Sequence, residues 1–325
     1  MEPAARHDAI VARLRREARA GRVSFARLVE AALYAPGLGY YVTDRQRVGQ
    51  APGTDFTTAA ALGPMFGQLI AAAARTLVGD LRSHTLVEVG AESGQTHFAG
   101  VANEFAELRT FRLGGGPACP PRCVLVANEL LDAQPFHRFL RQGGSWQELG
   151  VRVDGAELSL ETLPEFSTPP AAAFAAALPA APEGWLIDAP LAAESLLRSL
   201  LAGGWSGAVI LLDYGKTIAQ CLESSPVGTA RAYRGHRLSG AILEQLGSQD
   251  LTCHVLWDRL EPVLVAAGFQ GVRVDRQESF FVRHAAAEME RIATAGDQEA
   301  TGRLRALTHP AHFGAKFQVL HGIRA

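Results

Sequence analysis

The stretch Val124–Phe139 reads VLVANELLDAQPFHRF, and the prediction of the fold starts from it. Its first three residues, VLV, form a short apolar run typical of a buried parallel strand. Asn128 and Glu129 follow at what would be the carboxyl end of that strand. Open α/β sheets bind their ligands beyond the carboxyl ends of their strands. The segment therefore indicates both a sheet and a candidate binding edge.

Two carboxylates follow the predicted strand closely. Glu129 and Asp132 are three positions apart, so a helix that began here would place both on one face. Such a pair can hold a cation, and a guanidinium suits it best because its planar fork matches carboxylate geometry. The helix dipole also favours acidic residues at a helix N-terminus. The spacing alone leaves both explanations open.

The composition excludes some classes of function. The chain has 325 residues, of which 48% are hydrophobic and 20% charged, which is an ordinary globular balance. A net charge of −2 without a basic stripe disfavours a nucleic-acid partner. No apolar run is long enough to span a membrane, and the N-terminus lacks the apolar core of a secretory signal. We therefore expect a cytoplasmic protein whose four cysteines are free thiols.

Segments with the apolar pattern of a strand alternate along the chain with segments that have the apolar pattern of a helix. This order predicts an α/β fold with a mostly parallel sheet. Asp154-Gly155 lies between two alternating runs and predicts a β-hairpin. A helix is expected after residue 94, with Phe98, Val101, Phe105 and Leu108 on one face. Strands are expected at 85–90, 109–113, 124–128, 208–212, 272–274, 279–282 and 316–320, and helices at 25–34, 191–201 and 257–267.

The sequence VEVGAESG has the form of a strand, a turn and a helix start. Glu88 ends the strand, and Gly90 and Gly94 frame the turn. Small residues in such a turn let the backbone approach a nucleotide-type ligand. Tight turns without a ligand have the same pattern, so it is weak by itself. Glu92, in the middle, adds bulk and negative charge where the backbone would approach the ligand.

Several motifs, in this order, resemble the MidA family of S-adenosylmethionine-dependent methyltransferase-like proteins, which includes the mitochondrial arginine methyltransferase that helps assemble respiratory complex I. The motifs are ALYAPGLGYY (32–41), GTDFTT (53–58), FGQ (66–68), VEVGAESG (87–94), NELLDAQPFHRF (128–139), LLDYG (211–215), GTARAYRGH (228–236), QDLTCHV (249–255) and LTHPAHFGAKFQVL (307–320). The resemblance implies a Rossmann-like class I methyltransferase sheet with a helical N-terminal cap and loop-rich insertions. The implied cap and cleft loop cover residues 1–80, and the implied core covers 81–325 with insertions near 144–184 and 216–254.

The resemblance also implies a cofactor, a reaction and roles for residues. The cofactor would be S-adenosyl-L-methionine, the substrate a protein arginine and the partner a respiratory-complex subunit; the transfer would need no metal. Residues that match the family's cofactor motifs are Glu88, Gly90, Gly94, Asn128 and Thr58. Glu129 and Asp132 match the family's N-E-x-x-D-A motif and would bind either the acceptor guanidinium or the polar tail of the cofactor. Asp55 matches its G-D-F-x-T motif and would be either a second clamp on the acceptor or a loop-capping residue. Asp213 and Tyr214 match the family's D-Y-G strand end.

The sequence departs from the family pattern at the cofactor loop. Glu92 stands where the family has its central glycine. The segment between Gly94 and Asn128 is also too short for the helix, strand and acidic ribose ligand expected there. We therefore predict weak or absent binding of S-adenosyl-L-methionine. Two functions remain: a protein arginine N-methyltransferase, or a catalytically degenerate member that binds proteins or assists respiratory-complex assembly.

Overall fold

The computed structural model describes residues 1–43, 64–91, 96–112, 119–235, 237–309 and 313–325. The helices within these ranges are α1 (Pro3–Glu17), α2 (Phe25–Tyr34), α3 (Pro64–Val78), α4 (Pro169–Ala177), α5 (Leu191–Leu201), α6 (Ile218–Ser224), α7 (Trp257–Ala266), α8 (Gln277–His284), α9 (Ala286–Thr294), α10 (Gln298–Thr308) and α11 (Phe313–Lys316). None of these described helices is both long and apolar enough to cross a membrane.

Strands occur in both halves of the described chain. They are β1 (Arg22–Ser24), β2 (Thr85–Val89), β3 (Glu107–Phe111), β4 (Arg122–Asn128), β5 (His137–Gln142), β6 (Ser145–Asp154), β7 (Glu157–Thr162), β8 (Leu186–Ala189), β9 (Ser206–Asp213), β10 (Gly215–Lys216), β11 (Arg231–Arg234), β12 (Arg237–Ser239), β13 (Asp250–Thr252), β14 (Val255–Leu256), β15 (Gln270–Arg276) and β16 (Gln318–Arg324).

The chain forms two compact units, each made of several segments. One unit, called the mixed-sheet unit below, contains Thr57–Leu130, Glu194–Gly215 and Trp257–Ala325. The other, called the antiparallel unit, contains Met1–Phe56, Leu131–Ala193 and Lys216–Leu256.

The mixed-sheet unit is built on six strands in the order β15-β16-β9-β4-β2-β3. The four strands β9, β4, β2 and β3 run parallel, while β16 and β15 pair antiparallel at one side. Every residue of β2 is buried, as are the five central residues of β4. Such continuous apolar strands belong to a sheet covered on both faces. Side chains of α3, α8, α9 and α10 form one apolar core with these strands.

The antiparallel unit contains a five-stranded sheet in which β1, β6, β5 and β8 are neighbours and β7 also pairs with β6. Asp154 lies opposite Glu157, which confirms the predicted hairpin. Helix α2 begins after Ser24, whose hydroxyl accepts a hydrogen bond from the Arg27 N–H. Its buried face packs with α1 and β6 in one apolar core that includes Tyr40.

Two predictions in the mixed-sheet unit were wrong. Residues 279–282 lie in helix α8, not in a strand. Gln277, Phe280 and Phe281 are buried at helical spacing, and this spacing decides over the strand preference of the aromatic run. The helix expected after residue 94 is a short 3-10 helix, Ala99–Glu104, and Leu108 lies in β3.

Candidate functional site

The carboxyl ends of three adjacent parallel strands carry polar side chains in the mixed-sheet unit. Strand β4 lies between β2 and β9. Glu88 of β2 is opposite Val126, and Asn128 of β4 is opposite Leu212, one residue before Asp213. Glu88, Asn128 and Asp213 therefore lie at one edge of one sheet, where open α/β sheets bind their ligands.

Glu88 is a buried carboxylate with two local hydrogen-bond donors. Only 4% of its surface is exposed. Its Oε1 accepts the His97 N–H at 3.3 Å, and its Oε2 accepts the Thr96 hydroxyl. Burial raises the pKa of Glu88, and the two hydrogen bonds offset only part of that rise. A cationic ligand would stabilise the ionised form. Sequence reasoning missed Thr96 and His97, because no spacing pattern links them to Glu88.

Gly90 forms the sharp turn after β2. Its φ of +87° lies in the left-handed region that favours glycine. Its N–H donates to the Phe111 carbonyl at 2.8 Å, and an added Cβ would lie 3.0 Å from Leu130 Cδ1. The positive φ and the close approach of Leu130 both disfavour a side chain at this turn. Glu92 and Gly94 lie outside the described residues.

Asn128 and Glu129 combine an unpaired polar atom with a strained backbone. The Asn128 side-chain N–H donates to Glu129 Oε1 at 3.1 Å, whereas Asn128 Oδ1 is buried without a hydrogen-bond partner. Glu129 has a φ of +50°, and its N–H donates to the Leu212 carbonyl at 2.9 Å. Left-handed backbone costs an L-residue about 1–2 kcal/mol. Backbone strain is concentrated at functional sites, and a buried polar atom without a partner requires an explanation such as a bound ion or a catalytic role.

The expectation that Glu129 and Asp132 share a helix face was wrong. Residues 129–136 form turns and no helix, and β5 begins at His137. The left-handed Glu129 cannot start a right-handed helix, and Pro135 disfavours helical backbone at Gln134. Glu129 and Asp132 fall in different units. The three-residue spacing of the two carboxylates suggested a helix that does not form, because spacing carries no information on the φ of Glu129.

Asp132 and two tyrosines belong to the antiparallel unit. Asp132 is 7% exposed, and its carbonyl accepts the Cys253 N–H at 3.0 Å. The Tyr34 hydroxyl donates to the Ala133 carbonyl at 3.0 Å, and the Tyr41 hydroxyl donates to Asp250 Oδ2 at 2.9 Å. Burial raises the pKa of both tyrosines, which keeps them neutral donors. Asp55 and Thr58 lie outside the described residues.

A buried ion pair explains part of the GTARAYRGH motif. Asp188 Oδ1 accepts the Arg138 Nε–H at 2.7 Å, and its Oδ2 accepts the N–H groups of Thr229 and Ala230 at 2.6 and 2.8 Å. A Cβ at Gly228 would lie 2.5 Å from Asp188 Oδ2. Gly228, Thr229 and Ala230 therefore hold a carboxylate inside the antiparallel unit.

His254 is the histidine of the QDLTCHV motif, in the same unit. Its backbone N–H donates to Thr229 Oγ1 at 3.1 Å, and its Nδ1 is buried without a hydrogen-bond partner. Burial, with smaller contributions from Arg231 and Lys216, lowers the pKa of His254 to about 4. The imidazole is therefore neutral at physiological pH.

Comparison with known proteins matches the chain to a family model and to solved structures. Residues 110–273 match the model of a family described as "putative S-adenosyl-L-methionine-dependent methyltransferase". The chain is similar to a "likely methyl transferase" from Burkholderia thailandensis solved with S-adenosyl-homocysteine, at a TM-score of 0.87 and 26% identity, over 99% of this chain and 93% of that one. A native crystal structure of an uncharacterized protein from the same organism gives a TM-score of 0.83 at the same identity and coverage.

A curated relative is more distant. The mitochondrial "protein arginine methyltransferase NDUFAF7 homolog" of Drosophila melanogaster is 26% identical over 221 residues. The match covers 61% of this chain but 46% of that protein. The chain therefore spans about half the length of this relative.

Proposed function

Because the chain belongs to this MidA-like family of S-adenosyl-L-methionine-dependent methyltransferases, we propose that it is a protein arginine N-methyltransferase. The observation that carries the cofactor part of this proposal is the buried, unpaired Oδ1 of Asn128 beside the strained backbone of Glu129. An unpaired buried acceptor costs about 1–3 kcal/mol, and a ligand that donates a hydrogen bond to it would recover that free energy. Such an acceptor suits the amino groups of S-adenosyl-L-methionine.

The residues at the strand ends fit this cofactor. When bound, S-adenosyl-L-methionine supplies a methyl group on a positively charged sulfonium. We assign Glu88 to offset positive charge, Gly90 to allow close approach of the backbone, and Asn128 to accept a hydrogen bond. Glu88 suits this role because a cation would oppose the effect of burial on its pKa. Gly94 and Thr58 join the cofactor set by their match to family motifs alone.

The acceptor we propose is an arginine side chain of a protein. Carboxylates bind a guanidinium bidentately, and Glu129, Asp132 and Asp55 are the acidic residues that match the family's motifs. We assign Glu129 to orient the acceptor nitrogen and to stabilise its cationic charge. Asp132 and Asp55 join the acceptor set by their match to family motifs alone. The name of the Drosophila relative supports this substrate class. A respiratory-complex subunit is the partner we propose, and the cytoplasm the location.

One observation favours a second function, that of a non-catalytic member that binds proteins. Strand β3 ends at Phe111, followed by Arg112, so the described end of this strand has no carboxylate. A ribose-binding acid is expected at such a strand end. Its absence from these described residues would weaken cofactor binding.

Methyl transfer separates the two functions. The full-length protein would be incubated with labelled S-adenosyl-L-methionine and a protein extract, and modified peptides identified by mass spectrometry. We expect methylarginine with the wild type and at least about a tenfold loss with Glu129→Gln, since charged hydrogen bonds contribute about 1.5–3 kcal/mol. Glu107→Gln is the matched control, because Glu107 is exposed and is the first residue of β3, at the end of that strand opposite its carboxyl end. Methylation on lysine only, or full activity of Glu129→Gln, would refute the acceptor assignment; no methylation at all would favour the second function.

A further inference from the structure

Three metal-ligating side chains converge in the mixed-sheet unit on elements that the proposed function does not use. Asp275 is on β15, His284 ends α8, and His321 is on β16. One ligand atom from each lies within 4.8 Å of the other two. Strands β15 and β16 are antiparallel neighbours, and Asp275 lies opposite Val319, two residues from His321. Because side chains alternate along a strand, Asp275 and His321 lie on the same face of the sheet.

The polar atoms of this cluster are incompletely paired. Both ring nitrogens of His284 and Nδ1 of His321 are buried without a hydrogen-bond partner. His321 is 3% exposed, and its Nε2 forms a hydrogen bond of 3.0 Å with Asp275 Oδ2. Two atoms that each bind one zinc ion at about 2.0–2.1 Å lie roughly this far apart. Buried imidazole nitrogens normally have partners, so three unpaired ones require an explanation.

An apolar ring lies beside both histidines. The ring of Phe280 lies 5.1 Å from that of His284 and 5.0 Å from that of His321. It forms an apolar wall beside them.

Arginines oppose a cation at this position. The Arg283 guanidinium binds Asp275 Oδ2, and Arg273 Nη2 lies 3.9 Å from Asp275 Oδ1. Arg283 is on α8 next to His284, and its side chain is 42% exposed, so it can turn to solvent. An Asp275–Arg283 ion pair with a purely structural role would explain why a carboxylate lies at this position. It leaves the unpaired nitrogens of both histidines unexplained.

We propose that Asp275, His284 and His321 bind a divalent transition-metal ion of the zinc type. Two imidazoles and one carboxylate are a ligand set that zinc uses, with water completing a tetrahedron. The ligands come from β15, α8 and β16, so the ion would fasten the end of α8 to the edge of the mixed sheet. Its role would be structural, separate from methyl transfer.

Titration of the chelator-treated, full-length protein with Zn²⁺ tests the site. We expect one ion per chain and a higher melting temperature, because a ligand that binds only the folded state stabilises it. Removing a residue that merely supports a ligand weakens metal binding about 10- to 100-fold. His284→Gln removes a ligand, so its loss should be at least about 100-fold. His284 is only half-buried, so this variant should fold.

Two further variants keep the test specific. Arg283→Gln removes the competing cation and should tighten Zn²⁺ binding, which a surface site elsewhere would not show. His7→Gln is the matched control, because His7 lies in the antiparallel unit and should bind Zn²⁺ like the wild type. Absence of binding by the wild type, undiminished binding by His284→Gln, or weaker binding by Arg283→Gln would overturn the proposal.

Discussion

The left-handed backbone of Glu129 makes a measurable prediction when two substitutions are compared. Glu129→Gly and Glu129→Ala both remove the carboxylate and its hydrogen bond with Asn128. Only glycine relieves the φ of +50°. Relief is worth about 1–2 kcal/mol, and the greater freedom of glycine in the unfolded chain offsets about 0.5–1 kcal/mol of it. We therefore expect Glu129→Gly to be more stable than Glu129→Ala by roughly 0.5–1 kcal/mol.

Thermal unfolding of the two variants side by side measures this difference. The entropy of unfolding is about 2 cal/mol/K per residue, so over 325 residues the expected shift in melting temperature is about 1 °C. Both variants should lose methyl transfer equally, because both lack the carboxylate. A melting temperature of Glu129→Ala equal to or above that of Glu129→Gly would show that the backbone of Glu129 is not strained in the folded protein.

Three other changes have defined outcomes. Asp188→Asn leaves Arg138 as a buried charge without its partner and should cost about 3–5 kcal/mol in urea unfolding, whereas exposed Glu157→Gln should stay within about 0.5 kcal/mol; equal effects would contradict this. The pKa of Glu88 is raised in the folded state, so ionisation destabilises the fold as pH rises above about 4.5. The melting temperature of Glu88→Gln should therefore rise relative to that of the wild type as the pH increases from 4.5 to neutrality. A difference in melting temperature that does not change with pH would refute this prediction. Gly90→Ala should cost about 1 kcal/mol or more by chemical denaturation, and a neutral effect would show that the turn tolerates a side chain.

Much of the fold could be predicted from local pattern. The bounds of α2 and α5 match the predicted ranges, and the hairpin at Asp154-Gly155 occurs as expected. These elements have strong local signals: a serine cap, helical apolar spacing and a two-residue turn. The strands around Val124 and Ala208 have continuous apolar runs, and both lie in the parallel part of the mixed sheet.

The remaining features depend on the tertiary structure. The run SFFV at 279–282 has strand preference, yet α8 forms because Phe280 and Phe281 are buried in the core of the mixed-sheet unit. The backbone strain at Glu129 depends on how the chain turns after β4. The hydrogen-bond donors to Glu88 depend on how the chain turns after β2. Asp275 and His284 are nine residues apart without a recognisable ligand spacing, and His321 lies far from both in the sequence, so only the fold brings the three together.

Calorimetric titration with S-adenosyl-L-methionine tests the central claim most directly, because cofactor binding at the ends of β2, β4 and β9 is its premise. We expect one weak site per chain in the wild type. Glu92→Gly should tighten it by about 1–2 kcal/mol, because it removes bulk and charge at the position that matches the central glycine of the family's cofactor loop. Asn128→Leu should weaken binding about tenfold or more through loss of the Oδ1 acceptor. Absence of binding by both the wild type and Glu92→Gly, or unchanged affinity in Asn128→Leu, would contradict the account.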